Sequence, residues 1–241
     1  MAKPFSEWTV LPHGKLTRLD DNMLTVTGLL RMPPMGDVER RMTVVRLSNG
    51  RSVVYSAIAL DEAEMSALEA FGWPAYLIVP NDIHRMDAKI WKKRYPETIV
   101  VAPPAACEKV ERVVHVDDTS VDFGDPAVKL VTVPGTGEQE LALVVESGGF
   151  TTLILNDIIF NLSNRPGLGG RLFKAVGLTG DQPGIPLPNK LRQVKDRGAL
   201  RAQLERWSHI PNLKRVIVSH GSIIAKDAAH VLGRIAHDLA A

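Results

Sequence analysis

The sequence has a single cysteine, Cys107. One thiol cannot form an internal disulfide, and it rules out a metal site built on several cysteines, so any metal must be held by histidines and carboxylates. No window approaches the ~18 apolar residues that a membrane span needs. The first residues, Met1-Ala2-Lys3-Pro4-Phe5-Ser6-Glu7-Trp8, have no apolar core of signal-peptide length. The chain therefore reads as soluble and cytoplasmic, with no membrane partner. Charge of one sign is not in excess either: 29 Lys plus Arg against 27 Asp plus Glu leave +2, which gives no support to a polyanion-coating protein. Low-complexity tracts and short solenoid-type repeats are absent. What is there is an ordinary globular composition, 45% hydrophobic and 23% charged over 241 residues. That excludes wholesale disorder and favours one domain, 1–241, large enough to bury a real core.

Thr43 to Leu47 and Ser52 to Ser56 are β-rich runs flanking Ser48-Asn49-Gly50-Arg51. Asn-Gly between such runs predicts a hairpin, because both residues tolerate positive φ. Asp61 to Phe71 reads as a helix with Asp61 as cap, Glu64 three residues on, Met65, Leu68 and Phe71 on one face, and Gly72 as stop. Ala75 to Val79 and Thr98 to Val101 are apolar runs of the kind buried on both faces, with a helical segment 87–94 between them that ends at Tyr95-Pro96. Residues 52–102 thus alternate strand and helix, which is α/β layering. Strands restart at Val128 to Val133, followed by Pro134-Gly135-Thr136-Gly137, and at 141–146 and 151–155 around Ser147-Gly148-Gly149. Residues 161–198 are rich in Gly and Pro and read as a long basic insertion with one short helix near 171–176. A helix at 200–207, a strand at 215–218 and a C-terminal helix over 225–239 complete the chain. Two halves that each run from strands into alternating elements suggest a four-layer α/β/β/α sandwich, although a doubly wound sheet would give some of the same signals.

In α/β folds ligands bind at the carboxyl ends of strands. Three such ends carry polar residues: Pro80 to Asp87, Asn156-Asp157, and Ser219-His220-Gly221. The turn at Thr136 is a fourth candidate.

This order of segments, from about residue 20 to 240, resembles the metallo-β-lactamase superfamily. The stretch from Tyr55-Ser56 to Pro104 is similar to a branch known mainly as a domain of unknown function, through helix 61–71, the Val79-Pro80-Asn81-x-x-His84 turn, Trp91 and Tyr95-Pro96. The resemblance implies an α/β fold, the four-layer α/β/β/α sandwich of the metallo-β-lactamase type. The superfamily's first motif, H-x-H-x-D-H, supplies side chains to two metal ions. Here that turn keeps only His84, with Asn81 before it and Asp87 after it. Thr136 stands where the superfamily has the histidine of a P-G-H turn, while Asp157 matches the bridging aspartate and His220 the last motif histidine. By this resemblance His84, Asp157 and His220 are metal ligands, Asp87 and Asp157 are catalytic carboxylates, and Asn81 and Thr136 contact a ligand.

Two ions ~3.5–4 Å apart need more ligands than these. One divalent ion, zinc or equally iron or manganese, suits two histidines and one carboxylate. The first expectation is therefore a hydrolase with a reduced, at most mono-metal site, acting on a small-molecule ester, amide or phosphoester with an activated water as nucleophile and Asp87 orienting a ligand or acting as base. The second is a metal-free member of the fold that binds a ligand or partner in the same cleft, with Thr136, Asn81 and Asp157 hydrogen-bonded among themselves. A third, weaker reading is nucleic-acid processing through Lys89, Lys92, Lys93 and Arg94 and the basic insertion with Arg165, Arg171, Lys174, Lys190, Arg192, Lys195 and Arg197. Near-neutral total charge favours a solvated surface instead. The plainer readings are that His84 caps helix 87–94, that Asp157 and Thr136 close turns, and that Cys107 is a buried thiol. Gly167-Leu168-Gly169-Gly170 lacks the Lys-Ser/Thr of a P-loop and reads as hinge material. Leu168, Leu172, Phe173 and Val176 make a lid, a homodimer contact or core.

Overall fold

A computed structural model describes residues 3–32, 36–164 and 166–240, without the side chains of Met32 and Leu168. Met1, Ala2 and Arg165, which figure in the reading above, lie outside the described residues, as does the Leu168 side chain. The chain divides into two compact units, Met1–Leu130 and Val131–Ala241.

The first unit contains β1 (Thr17–Asp20), β2 (Met23–Met32), β3 (Gly36–Arg46), β4 (Arg51–Tyr55), α1 (Glu62–Phe71), β5 (Trp73–Ile78), α2 (Ala88–Arg94), β6 (Ile99–Val101), a 3-10 turn (Pro104–Ala106) and α3 (Cys107–Glu111). Its sheet runs β1-β2-β3-β4-β5-β6. Pairing is antiparallel from β1 to β4 and parallel from β4 to β6. The expected hairpin forms, with Arg46 opposite Ser52, and Asn49 Oδ1 accepts the Arg51 N–H at 3.0 Å in the turn. Alternation on β3 sends Met42 and Val44 into a core shared with Val54, Leu77 and Val100 and covered by Met65, Leu68, Ile90, Trp91 and Val110 of the helices. Each such side chain contributes about 1.5–3 kcal/mol by leaving water. Cys107 is half-buried at the start of α3 rather than in the core.

The second unit contains β7 (Val128–Thr132), which straddles the boundary, then β8 (Leu141–Ser147), β9 (Phe150–Ile154), α4 (Gly167–Ala175), α5 (Leu187–Gln193), α6 (Arg197–Ser208), β10 (Leu213–Ile217) and α7 (Ala228–Asp238). Its sheet runs β10-β9-β8-β7. The β8–β9 hairpin closes with Ser147 opposite Phe150, so Gly148 and Gly149 alone make the turn, both at positive φ (57° and 79°) as a two-residue hairpin loop requires. Val133, Leu153, Leu155, Val216 and Val218 pack with Leu200, Leu204 and Trp207 of α6 and Leu232, Ile235 and Ala236 of α7.

Two expectations are corrected. Residues 161–198 are not a structureless insertion with one helix: α4 begins at Gly167 and takes up the glycines read as a hinge, and α5 follows. The segment is also tied back by paired backbone bonds between Phe160 and Gly184 (2.9 and 3.0 Å) and by Gly180 N–H to the Leu162 carbonyl at 2.9 Å. The C-terminal helix begins at Ala228, because Asp227 takes a left-handed conformation (φ 51°). Among the described residues no helix is long and apolar enough to cross a membrane.

Candidate functional site

β9 and β10 are parallel neighbours, with Leu153 opposite Val216 and Ile154 opposite Ile217. Their carboxyl ends therefore emerge side by side, and the Leu155 N–H still bonds the Ile217 carbonyl at 2.8 Å. The residues that follow meet in two buried polar pairs. The Ser219 hydroxyl donates to Asn156 Oδ1, and His220 Nε2 lies 3.0 Å from Asp157 Oδ1. All four residues are buried. The Asn156 amide nitrogen is buried without a protein partner.

The surroundings hold this pair in place. Asp157 donates its backbone N–H to Glu140 Oε1 at 2.7 Å, and its carbonyl accepts from Asn189 Nδ2 of α5 at 2.6 Å. Glu140 is fully buried, a carboxylate spent on orienting the turn after β9. Phe160 packs on the His220 ring, with centroids 4.5 Å apart. Gly221 has φ +97°, and a Cβ there would sit 2.0 Å from the Asn161 carbonyl oxygen, so the chain leaves His220 by a path only glycine allows. Thr136, fully buried, donates its hydroxyl to the Val133 carbonyl at 2.7 Å and closes its own turn.

In the first unit the ends of β4 and β5 carry the other candidates. Asn81 Oδ1 accepts the N–H groups of Ile83 (2.9 Å) and His84 (3.0 Å), which builds the turn presenting His84. His84 Nδ1 lies 2.9 Å from the hydroxyl of Ser56, a residue at φ 56°. His84 thus bonds outward to Ser56 rather than capping α2. Asp87, expected as a base, sits instead in the interior: Oδ1 accepts the Ala59 N–H at 3.0 Å and Oδ2 accepts from the buried Arg40. Its side chain is only 1% exposed, which suits a structural anion that fixes the start of α2. Thr136 and Asn81 each serve their own turn.

Sequence reasoning missed Ser56, Glu140, Phe160 and Asn189. Glu140 left one local signal, a carboxylate directly before the apolar run 141–145.

No family profile matches this sequence, and no curated protein does. Solved structures do match. The metallo-β-lactamase from Hirschia baltica superposes with a TM-score of 0.60 at 16% identity, over 93% of this chain and 98% of that one. VMB-1 gives 0.65 at 13% identity over 97% and 100%. FIM-1 from Pseudomonas aeruginosa, a metallo-β-lactamase solved in a mono-zinc form, gives 0.62 at 11% identity over 95% and 96%. At such identities the likeness speaks for the fold alone. The chain has the metallo-β-lactamase fold, the α/β class that the order of its segments implied.

Proposed function

We propose that this protein is a hydrolase of small esters, amides or phosphoesters that works with one divalent cation, held by Asp157 and His220. The observation that carries the reading is the buried His220–Asp157 pair at two adjacent strand ends, with its donor atoms 3.0 Å apart. Neighbouring ligands on one tetrahedral zinc at ~2.0–2.1 Å stand about 3.3 Å apart, so the pair fits a single ion with little adjustment. The donor set, imidazole and carboxylate without thiolate, suits zinc, iron or manganese. A divalent ion at such a site acidifies water and polarises the bond to be cleaved. The protein's own part is orientation. Glu140 and Asn189 fix the Asp157 backbone from both sides, and Phe160 fixes the His220 ring. Asp87 is structural in this reading, and Thr136 in the place of a histidine argues for one ion rather than two.

Elemental analysis of tag-free protein, beside His220→Ala, tests this. The expected result is about one equivalent of metal in the wild type and loss of that metal in the variant. Protein that stays metal-free after reconstitution would overturn it. That result would favour the second reading, a metal-free ligand-binding member of the fold. The observation on its side is the buried Thr136 hydroxyl, spent on Val133 at the position of an expected metal-binding histidine.

A further inference from the structure

Among the described residues the two most exposed large apolar side chains, Leu191 and Leu172, and a third, Leu187, lie on one segment, the short helices α4 and α5. Leu172 on α4 is 62% exposed, and Leu187 and Leu191, one turn apart on α5, are 49% and 75% exposed. The two helices adjoin: the Leu187 N–H bonds the Val176 carbonyl, just past the end of α4, at 2.9 Å. Three exposed leucines on adjoining short helices cost solvation unless something covers them.

The charge around them says what. On α4 and α5 themselves stand four cations, Arg171, Lys174, Lys190 and Arg192, and no acid. Lys174 pairs with Asp181 at 3.1 Å, just beyond α4. A second copy of this chain is a poor occupant, because a two-fold contact sets a patch against itself and would bring cation against cation. Single-stranded nucleic acid is also poor, since it is held by stacking on aromatic rings and these side chains are leucines. An apolar strip with a basic rim on short helices matches the boundary between the headgroups and acyl chains of an anionic bilayer. Leucines enter that boundary and lysines and arginines meet the phosphates, without a shaped partner groove.

We propose that α4 and α5 form a docking face for an anionic lipid surface. The helix reaches the candidate site by its other side: Asn189, two residues from both Leu187 and Leu191 and so facing away from them, donates to the Asp157 carbonyl.

Cosedimentation of the full-length protein with vesicles tests the docking face without any hydrolysis. The protein should pellet with phosphatidylcholine vesicles that contain phosphatidylglycerol, not with phosphatidylcholine alone, and added salt should release it. Replacing Leu172, Leu187 and Leu191 together by Ser should weaken partitioning roughly tenfold or more. Arg171→Gln should weaken it about fivefold. Because these side chains are exposed, the variants should keep the wild-type circular dichroism spectrum. Equal pelleting of the triple variant and the wild type would overturn the proposal, as would no preference for anionic vesicles. So would a dimer in ultracentrifugation that the leucine changes abolish while vesicles bind neither protein, which would make this a self-contact. His220→Ala should lose metal yet still pellet with anionic vesicles, so failure of the docking face and failure of the metal site read out separately.

Discussion

Arg40 and Asp87 pair inside the first unit, with side chains 9% and 1% exposed. Asp87 is fully served, whereas Arg40 Nε and Nη2 are buried without protein partners. A buried pair of this kind adds little net stability, but removing one member strands the other charge. Arg40→Met should therefore destabilise the fold by about 3–5 kcal/mol. Arg40→Met with Asp87→Leu should cost clearly less than the two single changes summed, as urea unfolding of all three variants would show. A second pair is set by pH. The hydrogen bond that His115 donates to the Glu111 carboxylate, and then that carboxylate's charge, raise the His115 imidazole above its ordinary value. The same bond, with the Val116 N–H, holds Glu111 below the usual carboxylate range. The His115 contribution is complete below the ordinary histidine value and fades as pH rises through the raised one. The Glu111 contribution is complete above the ordinary carboxylate value and fades as pH falls through the lowered one. An NMR titration should place His115 above an unperturbed histidine, and Glu111→Gln should bring it down. An unmoved midpoint would mean that no such pair forms in solution. At this scale Asp157 and His220 were legible, since strand ends and a family resemblance agree on them. Glu140 and Asn189 were not, because they reach Asp157 from 17 and 32 residues away and nothing in the sequence ties either of them to it.

Helix α1 shows how far local rules carry an element. Asp61 caps it by accepting the Glu64 N–H at 3.0 Å, as its sequence implies. The reciprocal half of a capping box does not form. The Glu64 carboxylate accepts the Leu16 N–H at 2.7 Å, and the Asp61 N–H goes to His13 Nε2 at 3.1 Å. Distant residues thus take over bonds that a capping box would keep within one turn. Elements with weak period were harder to read: α4 and α5 are short, start after prolines and contain glycines or a proline, so propensity and pattern gave little sign of them. Turns offer a sharper test. Gly135 has φ +84°, and a Cβ would lie 2.4 Å from the Leu200 N of α6, whereas Gly148 has φ +57° with nothing within 4 Å. Gly148→Ala should cost only the left-handed strain, about 1–2 kcal/mol. Gly135→Ala should cost more than about 3 kcal/mol, because a clash with helix backbone is added to the strain. Thermal melts of the two variants check this, and equal losses would refute the close approach of that turn to α6.

Across the whole molecule, the division into two units falls between Leu130 and Val131, inside β7. The boundary is therefore a hydrogen-bonded strand and not a linker. Limited trypsin digestion should not cut early after Lys129 despite that side chain's exposure, and an early fragment ending there would show that β7 is frayed. Taken alone, the sequence determined most elements of both units. Turn chemistry at Asn49-Gly50 and Gly148-Gly149, the cap at Asp61 and the apolar runs at 75–79 and 151–155 act through neighbours along the chain, so they can be read without knowing the fold. Only the tertiary structure decided which strand ends meet. Whether β10 pairs with β9 depends on the path of the chain through α4, α5 and α6, and that pairing alone sets His220 against Asp157. The same holds for the burial of Asp87 against Arg40, which turns a candidate base into a structural anion because the two lie on elements far apart in sequence.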